Sequence, residues 1–240
     1  MLFSGAVAQI EQFLSRMERR GLLHTLRPVA LDDWLRPEPQ VVLREESALE
    51  LGSTASLSLI VWETGPGANE PDEILLVGPD LDRLSGPALP FAQVVQVGVV
   101  LDNDDPYLYF QQLRQVIYRL GLRDTMVRVL PGRQHVWWRF HRRAQADGLD
   151  ASVLGSAICA AVRRLPFVRR VRVILVTAGA DVVRTLEPTA TMVLDITLAL
   201  VQMHERSMDV DCGDCRYEAV CDAVEELRQL HRRLAKKEAG

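Results

Sequence analysis

Three cysteines fall within ten residues of this chain, Cys212, Cys215 and Cys221, in the spacing C-x2-C-x5-C. A C-x2-C pair lets one short turn present two thiolates to the same ion or cluster, and Gly213 tolerates such a turn. The third thiolate reaches the same centre if the chain folds back. Thiolate sets of this kind suit zinc or an iron–sulfur cluster, here a 4Fe–4S cluster with zinc as the alternative. A closed four-ligand site needs one more donor. Cys159, His204, His231, an acid or a ligand from outside the chain could supply it. A redox-active C-x2-C, or three unmetallated cysteines capping a helix, would use the same residues differently.

A second stretch with chemical content is Arg133–Gln134–His135–Val136–Trp137–Trp138–Arg139–Phe140–His141. On a strand, adjacent tryptophans face opposite sides, so one can enter the core while the other lies at the surface. Arg133, Trp137 and Arg139 then share a face. An indole plane flanked by guanidinium forks suits a planar, phosphorylated ligand such as a nucleotide or coenzyme A. An edge strand with solvated arginines and a half-buried Trp is the alternative. Further on, Arg163, Arg164, Arg169, Arg170 and Arg172 crowd around Leu165–Pro166–Phe167. Such a patch could meet phosphates, or it could be the basic end of a helix. No nucleophile–base pair stands out, since Ser156 and His141 lack any elbow or triad context, and neither a phosphate loop nor a dinucleotide glycine fingerprint occurs.

The elements that must position these residues are legible in outline. Val7, Ile10, Phe13, Leu14 and Met17 predict a helix over 4–20, with Ser4 able to cap it and Gly21 ending it. Arg27–Gln40, with three prolines around Trp34, reads as an extended linker in which Trp34 is a packing anchor. Strands are predicted at Val41–Arg44, Leu57–Glu63, Ile74–Val77, Phe91–Leu101, Met126–Leu130 and Val171–Thr177, with loops at Thr64–Asp72 and Ser85–Pro90 and a turn at Gly78–Pro79–Asp80. Asp105 and Pro106 open a helix that stops at Gly121. Asp150–Arg164 is a second helix, with Cys159 inside it as a small packed residue. Asp181–Arg206 is mostly helical with a break or kink at Pro188. A charged helix, Asp222–Lys237, follows the cysteines. The expected fold is α+β: a mixed sheet with flanking helices and helical N- and C-terminal extensions. The expected organisation is an N-terminal helix and linker (1–37), a middle domain (38–206), and a cysteine-rich segment with a last helix (207–240).

With 48% hydrophobic and 25% charged residues among 240, the chain can bury a substantial core. A net charge of −4 gives no basic field to attract nucleic acid. Four cysteines, three of them clustered, fit a reduced compartment better than a disulfide framework. The N-terminus lacks the basic region of a signal peptide, and no apolar run approaches the ~20 residues of a membrane span. The expectation is a cytoplasmic protein without nucleic-acid or membrane partners.

Leu76–Val77–Gly78–Pro79–Asp80–Leu81, Leu89–Pro90, Gly132–Arg133 with Trp137-x-Arg139, and Leu165–Pro166–Phe167 with Val171-x-Val173 and Thr177 occur in the order and at about the spacing of a known domain. The chain resembles, over roughly Val41–Arg206, the middle domain of acetyl-CoA synthase, the beta-type subunit of the carbon monoxide dehydrogenase/acetyl-CoA synthase complex. The resemblance implies an arginine-rich α+β unit that binds coenzyme A. It places Arg133, Trp137 and Arg139 in that role, with Arg169 in the matching segment after the helix. In the family a cysteine-rich segment holding a nickel–iron–sulfur centre follows. Cys212, Cys215 and Cys221 stand at the corresponding place, with a shorter second gap and no fourth cysteine.

Residues and resemblance together give three functional expectations. The first is an accessory protein of anaerobic one-carbon metabolism, carrying an iron–sulfur or metal centre and working with partner subunits of that complex type. The second is a coenzyme A-binding enzyme subunit completed by a partner. The third is a structural zinc protein whose cysteines and a histidine clip the last helix.

Overall fold

The computed structural model describes residues 2–64, 71–101, 105–130 and 134–207, with side chains through 204. The cysteines Cys212, Cys215 and Cys221, Arg133, His231 and the helix expected at Asp222–Lys237 lie outside the described residues. By contacts the chain divides into Met1–Val201 and Gln202–Gly240. All the described elements belong to the first unit, apart from the end of the last helix, which runs past it.

Helix α1 (Ser4–Arg19) buries Ala6, Ile10, Phe13, Leu14 and Met17 on one stripe. Phe3, not Ser4, occupies the N-cap and makes no side-chain capping bond. Its ring is fully buried edge-on to Trp62, with centroids 4.5 Å apart, so aromatic burial wins over a polar cap. At the other end Gly21 has φ +67, Gly21 N–H donates to the Glu18 carbonyl and Leu22 N–H to the Met17 carbonyl. That is a Schellman closure, which needs the left-handed residue that glycine supplies.

After β1 (Leu23–Leu26), the proline-rich segment makes only the two-residue strand β2 (Leu35–Arg36). Trp34 anchors it, with the Arg123 guanidinium carbon 4.6 Å from the ring centroid. The strand expected at Val41–Arg44 does not form. Val41 and Leu43 are exposed, Arg44–Glu46 is a single 3-10 turn, and the strand β3 (Ser47–Leu51) begins just after it. The physical reason is which leucines meet the core: Leu49 and Leu51, two residues apart, are both fully buried. Then come β4 (Leu57–Glu63), β5 (Glu73–Val77), β6 (Gly86–Leu89) and β7 (Ala92–Val99). Strand β6 lies inside the expected loop Ser85–Pro90, where pairing with β3 organises a sequence with little strand propensity of its own.

Helix α2 (Pro106–Tyr118) starts as expected, with the Asp105 carboxylate accepting from Tyr107 N–H at 3.0 Å and proline in the first turn. It leads into β8 (Gly121–Leu122), β9 (Thr125–Leu130), β10 (His135–His141), α3 (Arg142–Ala146) and α4 (Ala151–Val162). The chain continues as β11 (Val168–Val176), α5 (Ala180–Arg184) and α6 (Glu187–Ser207). The expected break at Pro188 falls just before it, at Thr185–Leu186, and Pro188 sits in the first turn of α6, where its missing N–H costs nothing.

The sheets are mixed, as the α+β expectation required. The larger has the order β1-β5-β11-β7-β4, with β11 parallel to β5 and antiparallel to β7. The smaller has the order β6-β3-β10-β9, and β2 pairs with β8 as a short ribbon. Arg172 pairs in register with Glu73, and Val173 with Ile74. Successive residues face opposite sides of a sheet. Glu11 of α1 pairs with Arg172, whereas Gly155 of α4 lies against Ile74, so the two helices cover opposite faces. That is why β11 is buried along most of its length. No described helix is long and apolar enough to cross a membrane.

Asp150 caps α4 by accepting from Val153 N–H at 2.8 Å. Burial raises its pKa, the capping hydrogen bonds to Val153 and Ser152 oppose that shift, and the nearby Asp80 and Asp82 add to it. A carboxyl with a raised folded-state pKa contributes stability below its unfolded pKa of ~3.9 and loses it as pH rises through the folded value. At neutral pH the charge is therefore a cost, while the cap geometry is a gain. Asp150→Asn keeps a capping oxygen and drops the charge, so its unfolding midpoint at pH 7 should equal or exceed that of the wild type. Asp150→Ala should lose about 1 kcal/mol. Equal losses for both substitutions in urea titrations would refute this assignment of charge and cap.

Candidate functional site

Strand β10 alternates cleanly: Val136, Trp138 and Phe140 are fully buried, while His135, Trp137, Arg139 and His141 are half-buried on the other face. Trp138 is therefore the core tryptophan and Trp137 the surface one. Antiparallel pairing sets Trp137 opposite Arg128 of β9 and Arg139 opposite Met126 and Glu50. Together with Val129 and Leu130 these residues line an open groove of about 430 Å³. The Trp137 indole lies over Gly52, and His135 meets it edge-on with centroids 5.6 Å apart. Gly52 holds this approach, since its φ is +146 and a Cβ there would fall on the indole.

The two arginines in the groove differ in what they can offer. Arg139 is engaged from within: Nη1 donates to the Val42 carbonyl at 3.0 Å and Nη2 to Glu50 Oε1 at 3.3 Å. Its Nε is buried without a described partner, and both side chains of the pair are less than a fifth exposed. Arg139 thus shapes the groove floor and is neutralised by Glu50. Arg128, by contrast, is exposed beside the indole. Sequence reasoning misses Arg128 because only the β9–β10 register brings it next to Trp137; the Pro131–Gly132 pair between the two strands is the available signal for that register. Arg169 is not part of this groove. It is exposed, donates from Nη1 to the Pro166 carbonyl at 2.7 Å, and lines a separate 340 Å³ hollow with Tyr109 and Phe167.

The five-arginine cluster does not act as one patch: Arg163, Arg164 and Arg169 are exposed, whereas Arg170 and Arg172 turn inward. Arg170 and Arg172 sit on β11 amid carboxylates from three other elements. Arg172 Nε donates to Glu73 at 2.6 Å and its Nη1 reaches Glu11, while Arg170 lies 3.7 Å from Glu63 and 3.9 Å from Glu73. Arg163 pairs with Asp72 at 3.4 Å. Burial alone would lower the Arg172 pKa, but Glu11 and Glu73 more than reverse it, so the guanidinium stays charged. Three of the five arginines therefore serve the fold.

Among the described residues no group of three or more His, Cys, Asp or Glu side chains could hold a metal ion. Cys159, one proposed fourth ligand for the cysteine centre, is buried in α4. Burial and the neighbouring Asp72 push its thiol up to about 12, against a smaller opposing pull from Arg163. Packed on the buried side of α4, Cys159 behaves as a small core residue.

A comparison with curated proteins finds similarity to acetyl-CoA decarbonylase/synthase complex subunit beta 2 of Methanosarcina acetivorans. The relation is distant. Identity is 26% over 184 residues, covering 73% of this chain and 37% of that subunit. The chain thus spans little more than a third of its relative's length. No protein-family model matches the sequence.

Proposed function

We propose that this chain is a binding module of one-carbon metabolism of the acetyl-CoA decarbonylase/synthase type. It would work with partner subunits of such a complex, carry a metal centre on Cys212, Cys215 and Cys221, and hold a coenzyme A-like ligand along the Trp137 groove. The observation that supports the reading most is the similarity itself, which extends over 73% of the chain. Two local features agree with it. The C-x2-C-x5-C set offers three thiolates to one centre, leaving a position for a fourth ligand, as an iron–sulfur cluster accepts. The groove pairs an indole face with an exposed guanidinium at Arg128, while Arg139 and Glu50 fix its floor.

A bound cluster would supply one-electron transfer or a Lewis-acidic iron. The chain's own part would be to hold the ligand's planar base on Trp137 and its phosphates near Arg128 and Arg133.

The deciding measurement is iron, zinc and acid-labile sulfide in the full chain purified without oxygen. About four iron and four sulfide per chain, lost in Cys212→Ser/Cys215→Ser and retained in Cys159→Ser, is the expected result. One zinc without sulfide would replace the cluster with a structural clip, and no metal would refute the centre. Coenzyme A titration followed by tryptophan fluorescence checks the groove. The signal should vanish in Trp137→Phe and weaken about tenfold in Arg128→Gln. A response that persists in Trp137→Phe would remove the groove from the reading.

A further inference from the structure

A larger cavity, of about 510 Å³, shares no lining residue with the Trp137 groove and lies between the β2–β8 ribbon, α2 and the end of α4. Three arginines are among its lining residues, and each comes from a different element: Arg36 of β2, Arg119 at the C-cap of α2, and Arg164 just past α4. Gln112 and Gln115 add two amides, and the remaining lining is apolar apart from Gly121; no carboxylate lines the cavity among the described residues.

Among the described residues some arginines pair with carboxylates and others, such as Arg128 and Arg184, do not. Arg123, Arg139, Arg163, Arg170 and Arg172 all pair with carboxylates. Arg119 and Arg164 have no ion-pair partner among the described residues, and the only described side-chain bond of Arg36 runs from Nη1 to its neighbour's carbonyl at 2.8 Å. The chain as a whole carries −4, so concentrating three such cations on one cavity needs a reason.

Neutralising helix ends does not account for it. The C-termini of α2 and α4 present about half a negative charge each. Three guanidiniums exceed that by about two charges, and Arg36 is on a strand, where no macrodipole needs it. Arg36 is half-buried while Arg119 and Arg164 are exposed, so their mutual repulsion is screened, and a bound anion would remove what remains of it. The apolar lining residues Leu35, Val116, Leu120 and Leu165 give the cavity part of the character of a small-molecule site.

The geometry points to a binding site for a phosphorylated small molecule with an apolar or aromatic body. The phosphate is held by Arg36, Arg119 and Arg164, and the body lies against the leucines and the valine. The assignment does not depend on the Trp137 groove or on the cysteines.

The test is calorimetric titration of the full chain with three probes: inorganic phosphate, inorganic pyrophosphate and phenyl phosphate. Pyrophosphate should bind more tightly than phosphate because it engages more of the guanidiniums. Phenyl phosphate should also bind more tightly than phosphate because its ring finds the apolar lining. Arg119→Gln/Arg164→Gln should weaken pyrophosphate and phenyl phosphate by at least about tenfold, since each lost charge-assisted hydrogen bond is worth that much. Gln115→Glu, which adds a negative charge without touching the arginines, should weaken both as well and guards against a folding defect in the double variant. Arg184→Gln, at the exposed end of α5 and outside both hollows, should leave all three affinities unchanged. No binding of any probe at millimolar concentration, or equal binding by wild type and the two cavity variants, would overturn the assignment. Equal affinity for phosphate and phenyl phosphate would overturn the apolar half of it.

Discussion

Trp138→Ala should lower the unfolding free energy by about 3–5 kcal/mol, at the top of the range for truncating a buried aromatic residue. The indole is fully buried, stacks on Phe140 with centroids 6.1 Å apart, and donates from Nε1 to Gln93 Oε1 at 2.9 Å. Gln93 belongs to β7 of the larger sheet and Trp138 to β10 of the smaller one, so this one side chain joins the two sheets by packing and by a hydrogen bond. Removing it leaves a cavity at that junction and strands a buried amide oxygen. Trp138→Phe separates the two effects. It keeps most of the ring volume but leaves Gln93 Oε1 without its donor, at a cost of about 1–3 kcal/mol. Gln93 Nε2 already lacks a described partner, so Gln93→Leu on the Trp138→Phe background should recover part of that loss. Urea unfolding of the wild type, Trp138→Phe, Gln93→Leu and the double variant gives the coupling energy. Losses that add without coupling would show that the hydrogen bond contributes nothing to joining the sheets.

Gly52→Ala should cost about 2–5 kcal/mol, combining backbone strain with overpacking. Gly52 has φ +146, a region that residues with a side chain rarely enter, and its N–H donates to the Leu89 carbonyl at 2.8 Å, which fixes it between β3 and β6. A Cβ there would collide with Trp137 Cγ and Cδ1, atoms near the root of the indole that cannot swing aside without moving the whole ring. The substitution therefore has a functional readout as well. The indole should leave its place over the groove, shifting its emission and reducing coenzyme A affinity more than global stability at low temperature would imply. A folded Gly52→Ala protein with shifted emission but wild-type affinity would separate Trp137 from the groove's function. A loss of affinity without any loss of stability would instead leave the positional role intact and show that the strain is small.

These two positions also mark how far the sequence can be read. The alternation His135–Val136–Trp137–Trp138–Arg139–Phe140 places one tryptophan inward and one outward, because consecutive strand residues must face opposite sides. It cannot say that the inward indole meets Gln93, which lies 45 positions away. Gly52 carries no local signal for its role, since its φ is tied to the closeness of an indole from a distant strand.

Local periodicity and local chemistry account for much of the fold. The stripe of α1, the Gly21 closure, the Asp105–Pro106 start of α2, the Asp150 start of α4 and most core strands each follow from a few neighbouring residues. The α+β class follows from their sum. Pairing between distant segments set the rest. It placed β3 after Val41–Arg44 because Leu49 and Leu51 are the residues that reach the core, and it made a strand of Gly86–Leu89 by giving it a partner. It also settled the fate of the arginines. Side-chain charge is visible in a sequence, but whether a guanidinium is free depends on which carboxylates the fold brings to it. Arg170 and Arg172 are neutralised by Glu11, Glu63 and Glu73 from three separate elements, while Arg36, Arg119 and Arg164, scattered along the chain, converge on one cavity with no acid in its described lining.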